Sequence, residues 1–388
     1  MSDRLARTIG LLERLVSFDT VSSKSNLPLI EFVEAYYTEH GISATRVPSD
    51  DGTKTSLFAT IGPETEGALG GIGLSAHTDV VPVEGQDWST DPFTLTRHED
   101  LLYGRGSCDM KGFIACILEA VPQWASADLS EPIHILLSYD EEVGCTGVRP
   151  MIAELGETLP KPRAIIVGEP TSMRVVDAHK GASRFVTEVT GVEAHSSMSH
   201  IGVNAIEFGA RFVAHLREIE AGLPENPHAM RFTPPKTTIH VGKMSGGRAM
   251  NIVPRDCRID WEVRPLPGVR SQDILEAATA FADRILRPEM RAVDPEADIV
   301  TRVTNDIPAF DAGVDSEAVS LAFALAGQND TSAVSYMTEA SWLQHGGCPT
   351  VVCGPGDIAQ AHKPDEFIAV SELVRCNAMM DRLTARLS

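Results

Sequence analysis

Two hydrophobic patterns alternate along residues 1–180. Stretches in which apolar residues recur three and four positions apart, such as 27–41 and 112–125, predict helices. Shorter segments in which apolar residues precede polar ones, such as 71–81 and 133–142, predict strands. Because helices alternate with buried strands, we expect an α/β fold whose mostly parallel sheet carries helices on its faces.

The pattern changes after residue 180. Over 181–306 the expected order is strand, helix, strand, strand, helix, strand, which is the order of a ferredoxin-like α+β unit. The alternation of apolar and polar residues in 258–264 indicates an antiparallel sheet with one exposed face. After residue 306 the first pattern returns. We therefore expect one α/β domain, made of 1–180 and 307–388, that is interrupted by an inserted domain at 181–306.

Length and composition agree with a globular protein of two domains. The chain has 388 residues, more than one hydrophobic core usually encloses, and 43% of them are hydrophobic. With 33 Lys and Arg against 54 Asp and Glu, the net charge is −21, which is typical of a solvated acidic surface. Because the basic residues are not clustered, we expect no nucleic-acid partner.

The N-terminal residues and the cysteines favour a cytoplasmic protein. Residues 1–18 carry charged side chains between the apolar ones, so they predict an amphipathic helix and not a signal peptide. No apolar run has the length needed to cross a bilayer, and we expect no membrane partner. The seven cysteines are odd in number and form no CxxC motif, which favours free thiols in a reducing compartment.

Acidic and imidazole side chains follow most of the expected strands. An α/β sheet gathers the carboxyl ends of its strands at one edge, so we expect these side chains to converge there. Two histidines among several carboxylates suit a borderline divalent ion such as Zn²⁺, and the set is large enough for two ions. The residues concerned are His77, Asp79, Asp109, Glu141, Glu142, Glu169 and His362.

Two of these segments also have a purely structural interpretation. His77 and Asp79 lie two positions apart, so they share one face of a strand. The carboxylate there can accept the second ring N–H of a metal-bound imidazole, or the two residues can form a structural pair. Asp109 lies in a loop with several glycines, where it can also cap the helix that begins near Gly112.

The adjacent Glu141 and Glu142 are a sharper signal. Two neighbouring carboxylates at the end of an apolar strand repel each other unless a cation or a proton lies between them. One can bind a metal while the other holds a proton, although a solvated acidic turn has the same sequence. Glu169 ends an apolar strand and precedes a proline, whereas His362 lies in a loop where exposure is the default.

Longer motifs carry a family resemblance. The segments are SAHTDVVPV, WSTDPFTLT, LYGRGSCDMKGF, DEEVGCTG, GEPTSMRVVDAHKG, GVNAIE, NIVPR, EVRPLPG and GPGDIAQAHKPDEF. With them the chain resembles the M20 family of co-catalytic metallo-amidohydrolases over essentially its full length, the inserted domain included. DPFTLT, GEPTSMRVVDAHKG, RPLPG and the TEA at 338–340 are most similar to the acetylornithine deacetylase subfamily.

The resemblance implies two divalent ions, with zinc as the expected metal and cobalt as the alternative. It places Asp109 between the two ions, His77 and Glu169 on one of them, and Glu142 and His362 on the other. By the same resemblance Glu141 is the general base and Asp79 supports the ring of His77. Cys108 stands before Asp109 where the family often has a small residue, and it has no general base paired with it.

The resemblance also assigns roles outside the metal centre. The inserted domain dimerises in this family and presents a histidine, here His195, to the active site of the partner subunit. Asn251 and Arg264 match positions near the substrate. Arg264 suits a substrate carboxylate by bidentate pairing, or it forms a structural salt bridge at the strand end. For a substrate ammonium we expect Glu339, whose alternative is an exposed turn acid.

The expected activity is therefore hydrolysis of N2-acetyl-L-ornithine to L-ornithine and acetate, a step of arginine biosynthesis, by a homodimer. A succinyl-diaminopimelate desuccinylase, or a broader N-acyl-amino-acid hydrolase or dipeptidase, is the alternative within the family. From a different class, a dimeric binding protein that keeps the fold would have lost Glu141 or a ligand, and all are present. A redox or cysteine enzyme would need a paired thiol motif, which the sequence lacks.

Overall fold

The computed structural model describes residues 3–64, 70–226, 229–313 and 315–388. Within these ranges the α-helices are α1 (Asp3–Val16), α2 (Leu27–Glu39), α3 (Gly112–Ser126), α4 (Val148–Glu154), α5 (Ala205–Ala221), α6 (Ser271–Phe281), α7 (Arg287–Arg291), α8 (Glu317–Ala326), α9 (Ala340–His345) and α10 (Val370–Leu387). The strands are β1 (Ala44–Pro48), β2 (Thr55–Ile61), β3 (Ile72–His77), β4 (Thr96–His98), β5 (Leu101–Tyr103), β6 (Ile133–Ser138), β7 (Ala164–Pro170), β8 (Val176–His179), β9 (Ala182–Thr190), β10 (Thr238–Gly246), β11 (Asp256–Arg264), β12 (Asp298–Ile307), β13 (Phe310–Asp311), β14 (Ser332–Val334), β15 (Thr350–Gly354) and β16 (Phe367–Ala369).

The chain divides into two compact units. The first unit consists of Met1–Ala178, Asp311–Ala333 and Thr338–Ser388, and the second of His179–Phe310 and Val334–Met337. The limits expected from the sequence, after residues 180 and 306, lie within a few residues of the first two breaks. The short return of Val334–Met337 to the second unit does not follow from the hydrophobic pattern.

The centre of the first unit is a parallel sheet. Its strand order begins β1-β2-β6-β3-β7-β15-β8. Strand β3 pairs in parallel with β6 on one side and with β7 on the other, and β7 pairs in parallel with β15. Antiparallel pairs flank this centre, since β2 runs opposite to β6 and β8 opposite to β15. The predicted α/β fold with a mostly parallel sheet is confirmed, with antiparallel strands added at its sides.

Burial explains why these strands form the centre. Every residue of β3, β6, β7 and β15 is buried, as the continuous apolar runs predict for parallel strands that are covered on both faces. Leu12 of α1, Phe113 of α3 and Leu373 of α10 belong to the same hydrophobic core. Because the four central strands are parallel, their carboxyl ends lie at one edge of the sheet, where loops can collect polar side chains.

The second unit has the expected ferredoxin-like architecture. Its strands follow the order β10-β11-β9-β12, and all three neighbouring pairs are antiparallel. Helices α5 and α6 contribute Phe212 and Ile274 to a core shared with Ile259 and Val263 of β11. Residues of β11 alternate between buried and more exposed positions, so the sheet has one covered face.

The N-terminal segment forms the predicted amphipathic helix. Helix α1 buries Leu12, Leu15 and Val16 against the core of the first unit. Among the described residues, the helices include none that is both long and apolar enough to span a membrane.

Candidate metal centre

The ends of the parallel strands bring the predicted ligands together. His77 is the last residue of β3, and Glu169 is the last but one of β7. Glu141 and Glu142 follow the end of β6, and His362 lies on the segment after β15. Asp109 comes from the tight turn Ser107–Lys111, which leads from β5 into α3.

His77 and Glu169 form the buried half of this cluster. The Nε2 atom of His77 lies 3.0 Å from Oδ1 of Asp109 and 3.7 Å from Oε1 of Glu169. The other ring nitrogen, Nδ1, donates to the backbone carbonyl of Asp79 at 2.9 Å. This hydrogen bond assigns the proton to Nδ1 and leaves Nε2 to face the carboxylates as an acceptor for a cation. The side chains of His77 and Glu169 are 1% and 5% exposed.

Glu142 and His362 form the second half, called the exposed half because the side chain of His362 is exposed, whereas that of Glu142 is only 7% exposed. The Nε2 atom of His362 lies 2.9 Å from Oε2 of Glu142 and 3.3 Å from Oδ2 of Asp109. The side chain of His362 is 52% exposed. Each carboxylate oxygen of Asp109 therefore faces a different histidine, Oδ1 toward His77 and Oδ2 toward His362. A carboxylate with this orientation can bridge two ions.

Two triads have metal-binding geometry. One ligand atom from each of His77, Glu141 and Glu169 lies within 4.8 Å of the other two, and the same holds for His77, Asp109 and Glu142. Glu141 thus lies among the ligands that the family resemblance implies, as a general base acting on a bound water must.

The charges of the cluster show that it needs a cation or protons. Burial raises the pKa of Glu169 and Glu141 well above the ordinary value, and the neighbouring carboxylates raise it further. Burial likewise raises the pKa of Glu142 to about 7. Hydrogen bonds to Asp109 and Glu142 raise the pKa of His362 to about 11. Burial alone would lower the pKa of His77, but Asp109 and Asp79 outweigh it and raise that pKa.

One buried atom tests whether a metal fits. Oε1 of Glu169 is buried and accepts no hydrogen bond from the residues that the structure describes. A buried carboxylate oxygen without a donor is costly unless a cation is its partner. The cluster supplies imidazole nitrogen and carboxylate oxygen, which are the donors that Zn²⁺ and similar divalent ions accept. The residues therefore fit a divalent metal centre.

Asp79 has a different contact from the expected one. Its Oδ1 lies 3.6 Å from Nδ1 of His77, whereas its backbone carbonyl takes the closer contact with that nitrogen. The carboxylate accepts the backbone N–H groups of Glu141 at 3.1 Å and Glu142 at 3.3 Å, and the hydroxyl of Ser22 at 2.7 Å. The carboxylate thus holds the turn that carries both glutamates, and the carbonyl orients the imidazole; support of His77 by the carboxylate of Asp79 stays a prediction.

The structure excludes the exposed-turn alternative for Glu339. Its side chain is fully buried and not part of an exposed turn. Oε1 accepts the hydroxyl of Ser75 at 2.6 Å, and Oε2 accepts the hydroxyl of Ser138 at 2.7 Å. The contact of Glu339 with a substrate ammonium stays a prediction. The two serines in otherwise apolar strands were the sequence signal for this contact, because buried hydroxyls need a partner.

Sequence reasoning also missed two contacts in the centre. The thiol of Cys145 donates to Oε1 of Glu141 at 3.5 Å. Glu366 accepts hydrogen bonds from the turn that carries Asp109, including the backbone N–H of Asp109 at 3.0 Å. Cys145 follows Glu141 by four residues and Glu366 follows His362 by four, so both lay inside motifs that had already been recognised.

The remaining predicted residues lie in the second unit. His195 and Asn251 are both exposed and neighbour each other, since His195 pairs with Ile252 and the N–H of Ser196 donates to the carbonyl of Asn251. Arg264 ends β11, and its guanidinium donates to Glu262 at 3.1 Å.

Asn251 lies five residues before the start of β11, whereas Arg264 is the last residue of that strand. The strand has nine residues, so its ends lie about 26 Å apart. The structure therefore brings His195 and Asn251 together and shows the strand-end salt bridge of Arg264.

The chain is similar to known proteins over most of its length. The model of Peptidase family M20/M25/M40 matches residues 73–386. A curated relative, acetylornithine deacetylase of Yersinia pestis, is 37% identical over 368 residues, which cover 94% of this chain and 92% of the relative.

Solved structures are similar in fold. Aminopeptidase PepT from Bacillus cereus has a TM-score of 0.77 at 18% identity, covering 98% of this chain and 99% of its own. Bacillus subtilis YXEP, described as a dinuclear metal binding peptidase, has a TM-score of 0.64 at 14% identity, covering 99% and 98%. At these identities the likeness concerns the fold alone.

Proposed function

The chain belongs to peptidase family M20/M25/M40, and on that premise we propose that it hydrolyses the amide bond of N2-acetyl-L-ornithine. The products are L-ornithine and acetate, and the step belongs to arginine biosynthesis in the cytoplasm. The observation that carries the proposal is the 37% identity to an acetylornithine deacetylase over 94% of the chain. The convergence of two histidines and four carboxylates at the sheet edge supplies the chemistry.

The contacts within the first unit support the ligand roles that the family resemblance implies. His77 and Glu169 would hold one ion and Glu142 and His362 the other, with Asp109 between them. Zinc is our first choice of metal and cobalt the second. Two bound divalent ions lower the pKa of a water and polarise the acyl carbonyl of the substrate.

Glu141 moves the proton. It is buried beside the ligands, and its raised pKa suits a group that accepts a proton near neutral pH. Asp79 accepts the backbone N–H of Glu141, and Cys145 donates to the side-chain carboxylate of Glu141. Both contacts limit the positions that the carboxylate of Glu141 adopts. Glu141 takes the proton from the attacking water and returns it to the nitrogen of the leaving amine.

The second unit supplies contacts to the substrate in our proposal. The chain forms a homodimer through this unit, and the exposed His195 donates a hydrogen bond to the oxyanion in the partner's site. Asn251 is adjacent to His195 and contacts the substrate beside it. Arg264 binds the substrate carboxylate by exchanging its present partner Glu262 for it.

A substrate panel tests the proposal. Purified zinc-loaded protein is assayed with N-acetylornithine, N-acetylmethionine, N-succinyl-diaminopimelate and simple dipeptides, and Glu141→Gln protein serves as the control for contaminating activity. We expect the highest kcat/KM for N-acetylornithine. A higher value for the succinylated substrate or the dipeptides would assign the chain to a different activity of its family. No turnover of any member of the panel would contradict the proposal.

A further inference from the structure

Glu366 is a buried carboxylate that binds the turn in front of α3. It is 1% exposed. Its Oε1 accepts the backbone N–H groups of Cys108 at 2.9 Å and Asp109 at 3.0 Å. Its Oε2 accepts the backbone N–H of Gly106 at 3.0 Å and Nη1 of Arg105 at 2.7 Å. Buried backbone N–H groups need acceptors, and successive N–H groups that point inward form a site for an anion.

The same turn has little freedom to take another shape. Gly106 has a φ of 78°, and a Cβ atom at this position would lie 2.7 Å from a methyl carbon of Val80. Its left-handed conformation directs the following N–H groups toward Glu366. Strands β5 and β16 pair Tyr103 with Phe367, so the chain enters the turn beside Glu366.

Arg105 connects Glu366 to the segment of His362. Its Nη2 donates to Oε1 of Gln86 at 2.6 Å, and Nε2 of Gln86 donates to the carbonyl of His362 at 3.2 Å. Its Nη1 also lies 3.3 Å from the carbonyl of Lys363, to which it donates. Glu366 and Arg105 thus contact both the turn that carries the bridging carboxylate and the loop that carries the exposed histidine.

We infer that Glu366, acting with Arg105, is a positioning residue of the metal centre that sets the place of Asp109 relative to His362. The inference rests on the proposed function, because it concerns the affinity for metal of the half formed by Glu142 and His362. The buried half depends on it less, since His77 and Glu169 are held by the central strands β3 and β7.

Metal binding tests the inference without an activity assay. The two dissociation constants for Zn²⁺ are measured by chelator competition, together with metal content and the melting temperature of the metal-free protein. The variants are Glu366→Gln, Gln86→Ala at a less buried position, and His362→Ala. In the His362→Ala protein, the one remaining dissociation constant is that of the buried half. Glu119→Gln is the matched control, because Glu119 is also a buried carboxylate of the first unit bonded by two arginines, Arg4 and Arg7.

We expect Glu366→Gln to weaken the exposed half by about 10- to 100-fold, as is usual when a residue that supports a metal ligand is changed. Gln86→Ala should weaken the same half by a smaller factor, and Glu119→Gln should change neither constant. If both variants keep the two wild-type dissociation constants for Zn²⁺, the inference is overturned. If Glu366→Gln does not fold, unchanged dissociation constants in Gln86→Ala overturn it. A wild-type protein that binds fewer than two ions would instead contradict the proposed function.

Discussion

The two halves of the candidate metal centre share Asp109 but are built in different ways. His77 and Glu169 stand at the ends of buried strands and are almost fully enclosed, with side-chain exposures of 1% and 5%. His362 stands on a loop and its side chain is 52% exposed. Ligands on rigid strands already have their binding positions in the metal-free protein, whereas the positions of ligands on a loop depend on supporting contacts. The comparison predicts a firmly held ion in the buried half and an exchangeable ion in the exposed half.

The largest effect is expected from the adjacent pair Glu141 and Glu142. Glu141→Gln removes the proton acceptor and should lower kcat by a factor of about 10²–10⁴, the span of a positioned general base, while both ions remain. Glu142→Gln removes a ligand of the exposed half and should leave one ion per chain. Kinetics with N-acetylornithine and metal analysis of the same preparations measure both effects.

The two neighbours serve as controls for each other, because both are glutamates of one turn held by Asp79. If Glu141→Gln loses an ion and Glu142→Gln keeps two, the assignment of acid–base and ligand roles is reversed.

The two halves should lose their metal ions at different rates. During dialysis of the loaded protein against a chelator, we expect metal content to fall from two ions to one in a first phase and more slowly thereafter. His362→Ala should lack the first phase, whereas His77→Ala should lack the slower one, since His77 belongs to the buried half. A single phase in the wild-type protein, with both ions lost together, would show that burial does not distinguish the halves.

Proton release is expected when the metal-free centre binds an ion. In that state the pKa of His362 is about 11 and that of Glu142 about 7. Near pH 7 His362 is therefore protonated and Glu142 partly protonated, and a cation must displace these protons, so affinity should fall as the pH falls.

Calorimetric titration with Zn²⁺ in two buffers of different ionisation enthalpy counts the released protons. His362→Ala should release fewer than the wild-type protein. Binding heats that are the same in both buffers would show that the centre is already deprotonated before the metal binds.

The same comparison explains what the sequence could predict. His77 and Glu169 are at the ends of continuous apolar runs, so their place at the sheet edge follows from the parallel topology. His362 lies in a loop, where exposure is the default, and its assignment to the second ion was implied by the family resemblance. The hydrophobic pattern does not predict β1 and β2, which add antiparallel strands beside the parallel centre and interrupt apolar with polar residues.

Supporting contacts were the least predictable part of the site. Glu366 and the carboxylate of Asp79 bond to backbone N–H groups of turns distant in sequence, and a glutamate or aspartate that does so has no local pattern. The burial of Glu339 was not predicted because its partners, Ser75 and Ser138, come from two strands far from it along the chain. Such contacts depend on tertiary structure, which neither periodicity nor spacing describes.

The smallest effect concerns the thiol beside the general base. Cys145 is fully buried, and its hydrogen bond to Glu141 belongs to the buried half of the centre. Cys145→Ala should lower kcat about two- to tenfold, the equivalent of one hydrogen bond of about 0.5–1.5 kcal/mol, with KM and metal content unchanged. Cys145→Ser retains a donor and should recover most of the loss. Equal losses in both variants, or a loss of metal in either, would show that Cys145 acts through packing and does not orient Glu141.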